Sequence, residues 1–155
     1  MKKVRIKNYS GRNFKKERTE DKLSAKKRSK LMSRVLSKNT KFELNFIELL
    51  TVSTNKPFLT HIKALHGNPD IVFPEQKVCV FLDSDFWHGW QYPRWKHLLK
   101  NDFWKEKIQN NRKRDVRNTR RLKKEGWKII RIWEHNIKKD PTPYIDKINN
   151  TLHGY

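Results

Sequence analysis

One cysteine, five glycines and only 16 acidic residues occur in this chain of 155. The lone Cys79 excludes an internal disulfide and any zinc site built from several cysteines of one chain, and it fits a reducing compartment. The longest wholly apolar run is Val78 to Leu82, far short of the roughly 20 residues that span a bilayer, and the N-terminus carries no secretory apolar segment. A soluble cytoplasmic protein with no membrane partner is expected. The shortage of acid matters most, because 37 Lys and Arg against 16 Asp and Glu leave a net charge of +21. That surplus exceeds what solubility requires and points to a polyanionic partner. Hydrophobic residues at 35% and aromatics at 12%, six of them tryptophan, exclude a merely disordered basic tail. The length suits one compact domain with a short arm.

The charge is concentrated in two places. Residues 1–41 carry 16 Lys and Arg against Glu17, Glu20 and Asp21, and residues 94–131 carry 15 against Asp102, Glu106, Asp115 and Glu125. Between these basic flanks lie the apolar strands and most of the chemically suggestive residues. Residues 1–20 read as a basic arm that orders, if at all, on a polyanion, and residues 21–155 as the domain. Leu31, Met32, Val35 and Leu36 suggest a short helix. Phe42, Phe46, Ile47, Leu49 and Leu50 recur at helical spacing behind Thr40 and Glu43, a capping-box pair. Ile71 to Phe73, Pro74 to Lys77 and Val78 to Leu82 read as strand, turn and buried strand. Residues 101–125 form the longest helical pattern, with Phe103, Trp104, Ile108 and Val116 on its apolar side, a strongly cationic opposite face, and Glu125-Gly126 as its stop. Trp127 to Trp133 reads as a third strand, and Pro143 to Leu152 as a short amphipathic helix. The order is that of a single α/β domain with a small mixed β-sheet flanked by helices.

Several residues in this frame are suited to chemistry. Asp70 follows Pro69 at the start of a strand, a place where metal-dependent nucleases hold a cation, although an Asp after Pro is ordinarily a turn former. The buried second strand ends in Asp83-Ser84-Asp85-Phe86-Trp87-His88, which sets carboxylates, two aromatics and a histidine at its C-terminal rim. Core packing is the plain alternative for Phe86 and Trp87. A histidine beside a metal-binding carboxylate can take a proton from water, its ordinary pKa of about 6.5 suiting general-base work. Asp115 interrupts the most cationic stretch, either as a surface ion-pair partner or as the acid that holds the His88 imidazole. Glu43, among apolar residues, is the inward carboxylate of its helix, whereas Glu48 is exposed.

Glu43, Gly67-Asn68-Pro69-Asp70-Ile71-Val72, Val80 to Asp83, Phe86-Trp87-His88, Phe103-Trp104 to Lys107-Ile108, Asn111, Arg114-Asp115 and Gly126-Trp127 to Trp133-Glu134 together resemble the very-short-patch-repair endonucleases, over about residues 22–139. The same constellation is similar to the catalytic domains of some homing endonucleases of related fold. The resemblance implies a restriction-endonuclease-like fold in which Asp70 and the Leu82 carbonyl bind two Mg²⁺ ions. His88 would then activate the attacking water, Asp115 would orient His88, and Glu43 and Asn111 would organise metal-bound water. Asp83 would lie beside the scissile phosphate, touching a metal or its water. Phe86, Trp87 and Trp104, with Met32 from the opposite groove, match the aromatic and apolar wedges by which the family recognises a T:G mismatch. A mismatched step is the cheapest to unstack.

The family's structural zinc site falls here on Asp85, Trp90, Tyr92 and His135, without thiolates, so no structural zinc is expected and Trp90, Tyr92 and Trp95 are expected to pack the loop. Arg28, Lys30, Lys107, Arg112 and Arg114 are the expected phosphate contacts. The expectation is a monomeric Mg²⁺-dependent endonuclease that nicks double-stranded DNA 5′ to the thymine of a T:G mismatch, acting beside mismatch-repair proteins. A homing or restriction-type nuclease that cuts intact sites is the enzymatic alternative. A catalytically inactive DNA-binding relative is the alternative from another class.

Overall fold

Thr40 and Glu43 begin the first element as their spacing predicts. The Glu43 carboxylate accepts a hydrogen bond from the Thr40 N–H at 3.3 Å, and the helix α1 runs Lys41–Ser53 with Phe46 and Leu50 buried. A computed structural model describes Ser24, Lys27, Lys30 and residues 40–154. The expected arm, the helix around Leu31 to Leu36, and the site candidates Arg28 and Met32 lie outside the described residues. Lys30 is helical and exposed.

After α1 come β1 (Leu59–Thr60), β2 (Ile71–Phe73) and β3 (Val78–Asp83), then a one-turn helix α2 (Tyr92–Trp95) and a 3-10 turn (Lys96–Leu98). The long helix α3 (Asp102–Lys124), β4 (Lys128–Trp133), α4 (Glu134–Lys139) and α5 (Thr142–His153) complete the order. The sheet order is β1-β2-β3-β4. Its first three strands pair antiparallel, and β4 pairs parallel with β3 after the α3 crossover. This is the expected α/β architecture, a small mixed sheet flanked by helices. Four short elements were not anticipated, β1, α2, the 3-10 turn and α4, which at two, four, three and six residues are too short to print a periodicity.

Strand alternation divides the sheet into two chemically different faces. Val78, Val80 and Leu82 of β3 and Ile130 and Ile132 of β4 point to one side, where they form the main core with Phe46, Leu50, Ile137, Ile145, Ile148 and Leu152. Cys79 and Phe81 point to the other and meet Val72 and Leu122 beneath α3. Asp83 and Arg131 are in phase with that second set, so the polar residues of both parallel strands lie on the side covered by α3.

Helix α3 is started by Asn101, whose side chain accepts from the Phe103 N–H at 2.9 Å, and carries Asp102 in its first turn and Arg121, Lys123 and Lys124 in its last, which suits the helix dipole. Only Ile108 and Leu122 of this helix are buried. Val116 and Phe103, expected on the core side, are exposed. At about 100° per residue, both fall well away from the line joining Ile108 to Leu122. The helix touches the sheet along one narrow stripe, and Val116 instead lies among Lys113, Arg117, Arg120, Arg121 and Lys124 on the outward face.

Candidate active site

Gly67 and Asn68 both adopt positive φ, at 86° and 51°, a turn that delivers Pro69-Asp70 to the edge of β2. A Cβ on Gly67 would meet Asn118 of α3 at 3.1 Å and the Phe81 ring at 3.3 Å, so the turn also sets how closely α3 approaches. The Asp70 Oδ2 accepts from the Leu82 N–H at 2.7 Å. Its other oxygen stands 4.0 Å from His61 Nδ1. Burial pushes the Asp70 carboxyl up to about 6, with Glu43 and Asp83 adding repulsion and the Leu82 hydrogen bond and His88 opposing it. Three carboxylates therefore share one region.

His88 stands on the loop that leaves β3. Its Nδ1 is 2.7 Å from Asp115 Oδ2 on α3 and 3.4 Å from Asp83 Oδ1. With Nδ1 protonated and bound to a carboxylate, the lone pair of the ring is at Nε2, where it can accept a proton. Asn111, one turn before Asp115, donates its amide to the Trp87 carbonyl at 2.9 Å and ties the loop to the helix. Gly89 makes the loop possible. Its φ is +70°, and a Cβ there would meet Ile108 Cγ2 at 2.9 Å and Arg112 Cδ at 3.0 Å.

Asp83, at the end of β3, is bound by a cation of the neighbouring strand. It is 2% exposed, and both carboxylate oxygens are taken by Arg131, at 2.6 Å from Nε and 2.5 Å from Nη2, because alternation turns them to the same face of adjacent strands. Arg131 also lies 3.6 Å from Asp115 Oδ2 and donates to the Thr119 hydroxyl at 3.4 Å, with its guanidinium 4.8 Å from the Phe81 ring centre. Burial works against its charge, yet the hydrogen bonds and charge of Asp83, with Asp115 and Asp70, hold its pKa above the ordinary value. Neither Arg131 nor His61 was found from the sequence. A cation in the centre of Ile129-Ile130-Arg131-Ile132 was the available signal for the first; for the second there was none.

Phe86, Trp87 and Trp104 form one half-buried cluster, with ring centres 4.9 Å apart for Phe86 and Trp87, 5.6 Å for Trp87 and Trp104, and 6.3 Å for Phe86 and Trp104. Trp95 stacks on Phe86 at 5.9 Å and Phe103 meets Trp104 at 5.0 Å, so two further aromatics extend the surface. Lys107 Nζ sits 5.6 Å from the Trp87 ring and 5.8 Å from Phe103. Arg112 rests over Tyr92 at 5.7 Å. Arg114 is exposed, with its Nε 4.0 Å from Asp115.

At the four positions discussed for zinc, Asp85 and His135 form a pair at 2.6 Å. Trp90 packs on His135 at 4.5 Å and on Trp133 at 5.1 Å. The Trp95 indole donates to the Trp90 carbonyl at 2.6 Å and meets Tyr92 edge-on at 5.2 Å. Burial raises the Asp85 pKa against the hydrogen bond and charge of His135. The loop is thus fastened to α4 by an imidazole–carboxylate pair and tryptophans.

No three His, Cys, Asp or Glu side chains converge as a metal cage among the described residues. A cation at Asp70 would be held by that carboxylate, main-chain oxygen and water. The site fits one, since it gathers carboxylates and raises the pKa of Asp70, and a bound cation relieves both. No helix of the described residues is long and apolar enough to cross a membrane.

Residues 20–94 match the family described as DNA mismatch endonuclease Vsr. The chain is 34% identical over 134 residues to the type II nicking enzyme V.NmeDIP of Neisseria meningitidis serogroup C, covering 85% of this chain and 90% of that protein. It is 40% identical over 116 residues to the type II nicking enzyme V.XorIIP of Xanthomonas oryzae pv. oryzae, covering 74% and 84%. It is 33% identical over 108 residues to the DNA mismatch endonuclease Vsr of Escherichia coli (strain K12), covering 69% of each.

Proposed function

The chain belongs to the Vsr family of DNA endonucleases, hydrolases whose partner is DNA, and from that premise we propose that it nicks duplex DNA 5′ to the thymine of a T:G mismatch with the aid of Mg²⁺. The observation that carries the proposal is the 2.7 Å contact between His88 Nδ1 and Asp115, on the same face of the fold as Asp70 and beside the aromatic cluster.

In this reading Asp70 and the Leu82 carbonyl hold two Mg²⁺ ions, with Glu43 ordering water about them. When bound, magnesium supplies Lewis-acid activation and neutralises charge developing on the phosphate. Asp115 keeps the Nδ1 proton of His88 in place, and Nε2 takes a proton from the water as its oxygen bonds to phosphorus and the P–O3′ bond breaks; solvent water protonates the departing O3′, leaving a 5′-phosphate and a 3′-hydroxyl. Asn111 fixes the Trp87 carbonyl and so the loop that carries His88. Phe86, Trp87 and Trp104 enter the base stack, where a mismatch lowers the cost of unstacking, while Lys107, Arg114 and Lys30 neutralise phosphates. The protein acts as a monomer alongside mismatch-repair proteins.

A second reading, site-specific nicking of intact duplex, is favoured by the names of relatives called type II nicking enzymes. The paired His88 and Asp115 weigh against an inactive DNA-binding relative. A supercoiled plasmid with and without EDTA, cut by wild type and Asp70→Ala, tests the chemistry; nicking that survives either change rejects the assigned site. Matched T:A and T:G duplexes separate the two readings, since equal rates on both would exclude mismatch repair.

A further inference from the structure

Two carboxylates compete for one imidazole in this structure. Asp115 Oδ2 lies 2.7 Å and Asp83 Oδ1 3.4 Å from the same His88 Nδ1, and a single N–H cannot serve both well. Asp83 comes from the strand that precedes the His88 loop, Asp115 from the helix above it, and nothing in either backbone alone prefers one. The difference between them is Arg131. It binds Asp83 through two parallel N–H donors at 2.5 and 2.6 Å and stands only 3.6 Å from Asp115 Oδ2, near enough to balance its charge without taking its oxygen.

We propose that Arg131 is the positioning residue that assigns His88 to Asp115 rather than to Asp83. The inference rests on His88 being the proton acceptor of the reaction proposed above. Arg131 is itself held in plane, by Thr119 Oγ1 at 3.4 Å and by the Phe81 ring at 4.8 Å, so the direction of its fork is set by the fold. Asp83 is 2% exposed, so its carboxylate relies on protein donors rather than on bulk water. Without Arg131, Asp83 would be a buried carboxylate whose available donor is His88 Nδ1. The ring would swing toward it and carry Nε2 away from the water it must deprotonate. A lysine supplies the charge without the paired donors and would restore only part of the selection.

The test uses the full chain with Mg²⁺ and the T:G duplex. Arg131→Met should lower kcat by on the order of a hundredfold, the scale of a misplaced general base, with KM changed less than about threefold because no DNA contact is removed. Arg131→Lys should fall between it and wild type. Adding Asp83→Asn to Arg131→Met removes the competing carboxylate together with the buried charge, and should recover at least about tenfold of the lost kcat. Independently of turnover, the His88 Nδ1 proton in ¹⁵N-histidine-labelled protein should depend on Asp115 in wild type and on Asp83 in Arg131→Met. Wild-type failure to nick would overturn the proposed reaction, and the proton signal would still decide the assignment. Unchanged kcat in Arg131→Met, no recovery in the double variant, or a proton that follows Asp115 in both backgrounds would overturn the role of Arg131.

Discussion

Replacing Asp70 by Asn in metal-free protein should raise stability at pH 7.5 while ending cleavage, because the site holds an ionised carboxylate where folding disfavours one. Burial, then Glu43 and Asp83, raise the Asp70 pKa from 3.8 to about 6. The native state therefore binds a proton more tightly than the unfolded chain does. The stability this group contributes is present below pH 3.8 and lost as the pH climbs through about 6. At about 1.4 kcal/mol per tenfold, the interval amounts to about 3 kcal/mol at pH 7.5. Asn is nearly the same size, can still accept from the Leu82 N–H, and carries no charge, so its stability lacks this slope. Thermal unfolding in EDTA should show Asp70→Asn melting higher than wild type by roughly 10 °C at pH 7.5, with the gap shrinking to a small fraction at pH 4. Adding Mg²⁺ should narrow the gap at pH 7.5 by stabilising wild type alone. Equal melting at pH 7.5, or a gap unchanged between pH 4 and 7.5, would show that the clustered carboxylates are not under strain and that Asp70 has no special claim on a cation.

Gly89→Ala should cost about 1–3 kcal/mol in urea unfolding, since its φ is +70° and Ile108 and Arg112 leave no room for a methyl group. Nicking should fall further than stability does, because the same loop carries His88. Trp87→Ala should abolish preference for T:G over T:A duplexes while leaving metal titration unchanged, as the indole belongs to the aromatic cluster and not to the carboxylate group. Duplex affinity should fall by roughly three to five decades between 50 and 200 mM salt if some 6 to 10 phosphates are neutralised, and a shallow slope would mean that the net charge of +21 is mostly solvated surface.

Much of the fold was legible because it is written in local patterns. Thr40 and Glu43 mark a helix start, Ile71 to Leu82 is two apolar runs around a polar turn, and the shortness and β-branched residues of the second run mark β3 as a buried strand. The long helix was legible in extent but not in facing: Val116 and Phe103 are apolar residues on a mostly solvated surface, and only contact with the sheet selects Ile108 and Leu122 for burial. Within the site, Asp70, Asp115 and His88 were named through family resemblance and chemical type. Spacing alone left Asp115 open as a surface ion-pair partner, because His88 and Asp115 are 27 residues apart in sequence and no periodicity couples them.

Composition and periodicity by themselves determined a basic, single-cysteine α/β chain made for a polyanion, since charge and local hydrogen bonding need no long-range information. Tertiary structure decided which carboxylate meets which cation. Asp83 and Arg131 are 48 residues apart and become partners only because parallel pairing of β3 and β4 brings the same face of both strands under α3, where burial leaves neither of them enough water to remain alone.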